Sequence, residues 1–118
     1  MYMISRDKQI LVKLVDETKL ILQMVDGFDF KAFVADEKTK RAVCMTLINV
    51  GELVKNISDE LKAAHREIPW RAISGLRDVT AHKYQTLRMQ DVWTTVTSDM
   101  EELKQQFENM LEIKTHMD

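Results

Sequence analysis

Residues 4–27, ISRDKQILVKLVDETKLILQMVDG, decide the fold class. Ile4, Leu11, Leu14, Val15, Thr18, Ile21, Leu22 and Val25 recur at steps of three, four or seven, which gathers them on one stripe of an α-helix. Gly27 follows as a natural stop. The same rhythm returns twice. Val43, Leu47, Val50, Leu53, Val54 and Ile57, extending to Leu61, mark a second long helix whose other face carries Arg41, Glu52 and Lys55. Val92, Trp93, Val96, Met100, Leu103, Phe107, Met110 and Leu111 mark the last. Between the first two, Phe28 to Phe33 is short and aromatic, and is expected to form a turn of helix that plugs the bundle end. Pro69 suits the first turn of a further helix, where its missing N–H costs nothing. Gly75 inside that helix is unfavourable by about 1 kcal/mol relative to Ala, which points to close backbone packing there, as between two subunits. The expected architecture is all-α: an antiparallel four- to five-helix bundle with short connections, formed by residues 1–118 as one domain.

Composition supports this. Of 118 residues 45% are hydrophobic, with one Pro and three Gly, so a packed helical core is favoured over disorder. Cys44 is the only cysteine, which excludes an intrachain disulfide and fits a reducing cytoplasm. No apolar run approaches the roughly 18 to 20 residues that span a bilayer, and no signal-peptide pattern opens the chain. His65 and His116 lack neighbours in a zinc spacing, and the three glycines form no phosphate-binding loop, so neither a metal nor a cofactor is expected. Net charge is -2, yet six basic residues (Lys62, Arg66, Arg71, Arg77, Lys83, Arg88) face only Glu67 and Asp78 between positions 62 and 88. A basic strip on an otherwise acidic chain suits a selective contact with a polyanion better than general coating of one.

Within that strip stands Arg77-Asp78-Val79-Thr80-Ala81-His82-Lys83-Tyr84. Arginine presents a planar fork of donors matched to phosphate and stays charged at any working pH. Histidine titrates near neutrality. Together they supply the two needs of a metal-free nuclease, a phosphate clamp and a proton-transfer group. The pattern resembles the R-x4-6-H-x-Y motif of HEPN-domain ribonucleases, specifically the HepT toxins paired with minimal nucleotidyltransferases. Ile68-Pro69-Trp70-Arg71 with Ile73, Gly75 and Leu76 before it, and Trp93, Asp99 and Leu103 after it, carry the likeness over nearly the whole chain. Asp78 stands where Asn is also common, and the spacing is at the short end of the permitted range.

In one straight helix Arg77 and Tyr84 would share a face, while His82 would lie about 140° around from Arg77. Either the helix unwinds near Ala81 and His82, or two copies of the motif face each other. The resemblance implies the second arrangement, a two-fold homodimer whose paired motifs line one cleft. It further implies an RNA endonuclease in which the 2'-hydroxyl attacks the adjacent phosphate. There His82 would be the general base or acid, Arg77 the stabiliser of transition-state charge and Asp78 a supporting residue. Lys83, Arg71 and Arg88 are the expected RNA contacts. In the resembled family Tyr84 is the residue to which the antitoxin nucleotidyltransferase attaches AMP, and a Phe there is expected to abolish modification while sparing cleavage. This chain lacks the Gly-Ser and Asp-x-Asp pair of a nucleotidyltransferase, which places AMP transfer on a separate protein. A second reading is a non-catalytic helical binding subunit that presents substrate to such a partner.

Overall fold

The computed structural model describes residues 3–78 and 84–117, with side chains as far as residue 112. Helix α1 (Ser5–Val25) buries Asp7, Ile10, Leu11, Leu14, Val15, Thr18, Ile21 and Val25. This is the predicted stripe, moved at its start. Ile4 precedes the helix and is 51% exposed, so Asp7 and Ile10 cover the core there instead. Gly27 ends the helix with φ +80°, a left-handed conformation that a residue with a Cβ rarely adopts.

Two aspartates then start two helices. Asp29 accepts a hydrogen bond from the Ala32 N–H at 2.8 Å and caps α2 (Phe30–Ala35). Asp36 accepts from the Thr39 N–H at 2.9 Å and caps α3 (Glu37–Lys55). Each satisfies a donor that the first helical turn leaves open. Phe33 is fully buried, its ring centroid 5.1 Å from that of Trp93, so the aromatic segment does plug one end of the bundle.

Helix α3 ends at Lys55, short of the predicted Leu61. Ser58 caps a new helix, α4 (Asp59–Ala64), with its Oγ accepting from the Leu61 N–H at 3.2 Å. Ile57 and Leu61 are buried, but from the turn and from α4. The side-chain oxygens of Asp7 accept from the Ser58 N–H at 2.9 Å and from the Ser58 hydroxyl at 2.5 Å. The start of α1 therefore lies against the end of α3, and these helices run antiparallel.

Asp7 is only 2% exposed, and a buried carboxylate is tolerated because both donors meet it. Asp7→Ala removes both bonds and leaves Ser58 donors unmet. Its urea-unfolding midpoint should fall, with unchanged slope, by the equivalent of about 1–3 kcal/mol; a wild-type midpoint would show that the link contributes nothing.

Pro69 sits at the N-cap of α5 (Trp70–Ser74), one position earlier than the predicted first turn. The segment is no long helix: it tightens at once into a 3-10 turn, Gly75–Asp78. Trp70 bridges it to the core, its Nε1–H donating to the His65 carbonyl at 2.9 Å and its ring lying 6.3 Å from Phe107.

The last helix comes in three parts: α6 (Met89–Thr94), a π-helical turn (Thr95–Asp99) and α7 (Met100–Met117). Val92, Val96 and Met100 are all buried although they follow one another at steps of four. In a regular α-helix each such step drifts roughly 40° around the axis. The wider i→i+5 turn absorbs the drift and keeps all three on the core. The hydroxyls of Thr95 and Thr97 donate to the carbonyls of Asp91 and Trp93 at 3.0 and 2.7 Å. Helix α1 packs against both α3 and α7. Lys19, Leu22, Gln23 and Asp26 near the end of α1 line one groove with Glu101 and Lys104 at the start of α7, so these two also run antiparallel. Among the described residues no helix is long and apolar enough to cross a membrane.

Candidate active site

Arg77 is placed by backbone contact. A Cβ on Gly51, in the middle of α3, would lie 2.5 Å from the Arg77 nitrogen, 3.1 Å from the Ile73 carbonyl oxygen and 3.2 Å from the Arg77 Cα. Only a glycine lets the 3-10 turn seat on α3 at this depth. Gly75, expected from the sequence to mark close packing, is open within this chain: a Cβ added there would meet nothing within 4 Å. The intrachain close approach therefore belongs to Gly51. A glycine inside a helix rich in strong helix formers was the available signal.

From that seat the Arg77 side chain, 37% exposed, reaches into an open groove of about 450 Å³ lined by Lys62, Trp70, Arg71, Ser74, Gly75, Arg77 and Asp78. Three cations share the groove. Asp78 is mostly exposed, with its Oδ1 3.9 Å from the Arg77 Nε, a loose pair that leaves the guanidinium available. Of the expected RNA contacts, Arg71 lies in this groove. Arg88 does not line it; it is exposed and pairs at 3.9 Å with Asp91 across the first turn of α6. Lys62, counted in the basic strip but not among the contacts, takes a place beside Arg71. His82 and Lys83 lie outside the described residues.

Tyr84 meets α3 elsewhere, at its first turns. Its hydroxyl donates to Glu37 Oε2, and the Arg41 guanidinium stands 4.6 Å from the centre of its ring. Glu37 also pairs with Lys40 at 3.3 Å and with the Arg41 Nε at 3.0 Å. Burial, and next the bond to the Glu37 carboxylate, push the Tyr84 phenol up to about 12. The same bond, followed by Lys40, lowers Glu37 below the usual carboxylate range. Nothing in the sequence pointed to Glu37, which stands 47 positions from its partner.

From Glu37 and Arg41, which hold Tyr84, to Gly51, which seats Arg77, is roughly 15 to 21 Å along the helix axis. The two ends of the motif are thus anchored at separate points of α3 within one chain. Beneath Tyr84, Cys44 is buried, and burial pushes its thiol up to about 11, so it is no nucleophile at neutral pH.

An all-helical bundle here sets Arg77 in a groove with Lys62 and Arg71, side chains whose charge suits an anion. A family profile described as "HepT-like: Ribonuclease HepT-like" matches residues 14–110, which takes in most of the bundle and the whole motif. The chain belongs to this ribonuclease family. It is 35% identical over 103 residues to a Thermococcus cleftensis protein named "Probable ribonuclease HepT", covering 87% of this chain and 94% of that one. To a protein of Caldanaerobacter subterraneus subsp. tengcongensis assigned as an RNase it is 31% identical over 102 residues, covering 86% and 91%. A Methanocaldococcus jannaschii protein, also assigned as an RNase, is 27% identical over 99 residues, covering 80% and 82%. No solved structure matches the chain.

Proposed function

We propose that this chain is a metal-independent endoribonuclease acting as the toxin of a toxin-antitoxin pair, with a composite site built from two copies of the motif in a homodimer. The observation that carries the reading is the Gly51 seat, which holds Arg77 in a groove shared with Lys62 and Arg71. Three cations at one groove suit an RNA backbone, and the arginine fork matches the phosphate at which charge builds up. His82, as general base, takes the proton of the 2'-hydroxyl as that oxygen attacks the adjacent phosphorus; returned to the departing 5'-oxygen, the same proton completes the cleavage. Arg77 stabilises the extra charge on the phosphorane oxygens. DNA, lacking the hydroxyl, resists.

The separate anchoring of Arg77 and Tyr84 on α3 favours a cleft completed by a second copy. The same separation leaves Tyr84 open to modification by a minimal nucleotidyltransferase antitoxin that transfers AMP to its hydroxyl. An adenylylated Tyr84 brings a bulky anion to the edge of the cleft, where it obstructs and repels RNA.

The deciding experiment incubates the purified protein with total RNA, and with single-stranded DNA, in excess EDTA. Discrete RNA fragments ending in 2',3'-cyclic phosphates, with intact DNA, are expected. Cleavage that stops in EDTA sinks the metal-free chemistry, and a strictly monomeric, active species at micromolar concentration in sedimentation sinks the composite site.

A further inference from the structure

At the N-terminal turn of α3, Glu37, Lys40 and Arg41 form a charged group that the cleavage chemistry does not use. Tyr84 is built into it on two sides: the hydroxyl is bound to the Glu37 carboxylate, and the ring lies under the Arg41 guanidinium. Both cations are held in place by the same carboxylate, Lys40 at 3.3 Å and Arg41 at 3.0 Å. We propose that Glu37 is the proton acceptor and positioning residue for nucleotidyl transfer to Tyr84, and that Arg41 with Lys40 forms the seat for the transferred phosphate. This rests on the reading of Tyr84 as an acceptor given above.

The step balances without further reagents beyond the nucleoside triphosphate that the partner enzyme delivers. Tyr84 Oη forms a bond to the α-phosphorus, the bond from that phosphorus to the oxygen bridging to the β-phosphate breaks, and pyrophosphate leaves. The phenolic proton passes along the existing hydrogen bond to Glu37. A phenol pushed up to about 12 does not ionise at neutral pH, so a base already in contact with it is what makes it nucleophilic. Glu37 is fit for this, since its neighbours favour the ionised form. Once the phosphodiester forms, its negative charge takes over the partners that Glu37 held. Arg41 and Lys40 then bind the product phosphate, and Glu37 releases the proton to solvent. Before transfer, the carboxylate keeps both cations in position. The seat is therefore assembled in advance and changes occupant as the bond is made.

The test measures initial rates of label transfer from α-³²P-labelled ATP by the partner nucleotidyltransferase to this chain. Wild type is compared with Glu37→Gln, Glu37→Asp, Arg41→Gln, Lys38→Gln and Tyr84→Phe between pH 6.5 and 9.5. Glu37→Gln is expected to slow transfer about 100-fold at pH 7, with a rate that climbs with pH where wild type is flat, and Glu37→Asp is expected to recover part of the loss. Arg41→Gln should lower kcat with little change in the KM for ATP, because the seat engages only as the phosphorus reaches the phenol. Lys38→Gln, on the same turn, should match wild type. Wild-type rates in Glu37→Gln, with Tyr84→Phe unlabelled, would remove Glu37 from the reaction and leave Tyr84 as acceptor. Label on Tyr84→Phe, or none on wild type, would remove the acceptor reading itself and this proposal with it.

Discussion

Arg77→Ala is expected to cleave RNA about 10³-fold more slowly than wild type while unfolding at nearly the same temperature. The two halves of that expectation have different physical sources. The Arg77 backbone nitrogen and Cα are what meet Gly51 on α3. The guanidinium is partly exposed, and the ion pair described for it is the loose one with the mostly exposed Asp78. Truncation therefore leaves the backbone seat in place and removes a weak surface ion pair. Its catalytic loss is large because a preorganised donor aimed at developing phosphoryl charge contributes about 10²- to 10³-fold, and arginines acting on phosphoryl groups reach 10³ or more. In a cleft built from two copies both guanidiniums vanish together. Arg77→Lys should restore only part of the rate, since a point charge lacks the bidentate fork. The measurement is single-turnover cleavage of a labelled RNA beside a thermal melt. Activity within tenfold of wild type would show that Arg77 is not the clamp.

Gly51→Ala is expected to destabilise the protein by about 3 kcal/mol, lowering Tm by roughly 10–15 °C. Two opposing effects meet at this position, and their magnitudes decide the sign. Helix propensity alone favours alanine by about 1 kcal/mol. Against it, the new Cβ would lie 2.5 Å from the Arg77 nitrogen and 3.1 Å from the Ile73 carbonyl oxygen. All the close atoms are backbone, so no side chain can swing away to relieve the clash. The 3-10 turn must lift off α3, and Ile73, a core residue, must lift with it. Because the same shift displaces Arg77, cleavage at 25 °C should fall even where the variant is fully folded. A differential scanning calorimetry trace with Tm unchanged or raised would mean that the turn does not seat on Gly51.

Much of this was legible in the residues. Helical periodicity located α1 and the final helix because each must bury a continuous stripe, and that stripe is written into the spacing of Leu11 to Val25 and of Val92 to Met110. It extended α3 too far for a physical reason: Ile57 and Leu61 continue the apolar rhythm, and only the capping hydroxyl of Ser58 reveals that the chain has started a new helix. The π-helical turn left a trace in three core residues at steps of four, a trace that short-range spacing does not separate from an ordinary stripe. Arg77 and Tyr84 stand close in sequence, yet their anchors on α3 are far apart, because where a short segment docks depends on contacts made by Gly51 and Glu37. Those contacts join residues 26 and 47 positions apart, and no local pattern encodes them.

Helix α3 acts as a ruler. It carries the seat of Arg77 and the cradle of Tyr84 on one rigid rod, so their offset is counted in residues. One inserted or deleted residue between Arg41 and Gly51 would slide the two marks by about 1.5 Å and rotate them by roughly 100° relative to each other. Such a change would turn the phenol's cradle away while leaving the cationic groove intact, separating the proposed modification of Tyr84 from the groove that holds Arg77. Homologous chains should therefore keep this ten-residue interval free of gaps and concentrate their length variation in the connections around Asp26 to Asp29 and His65 to Pro69.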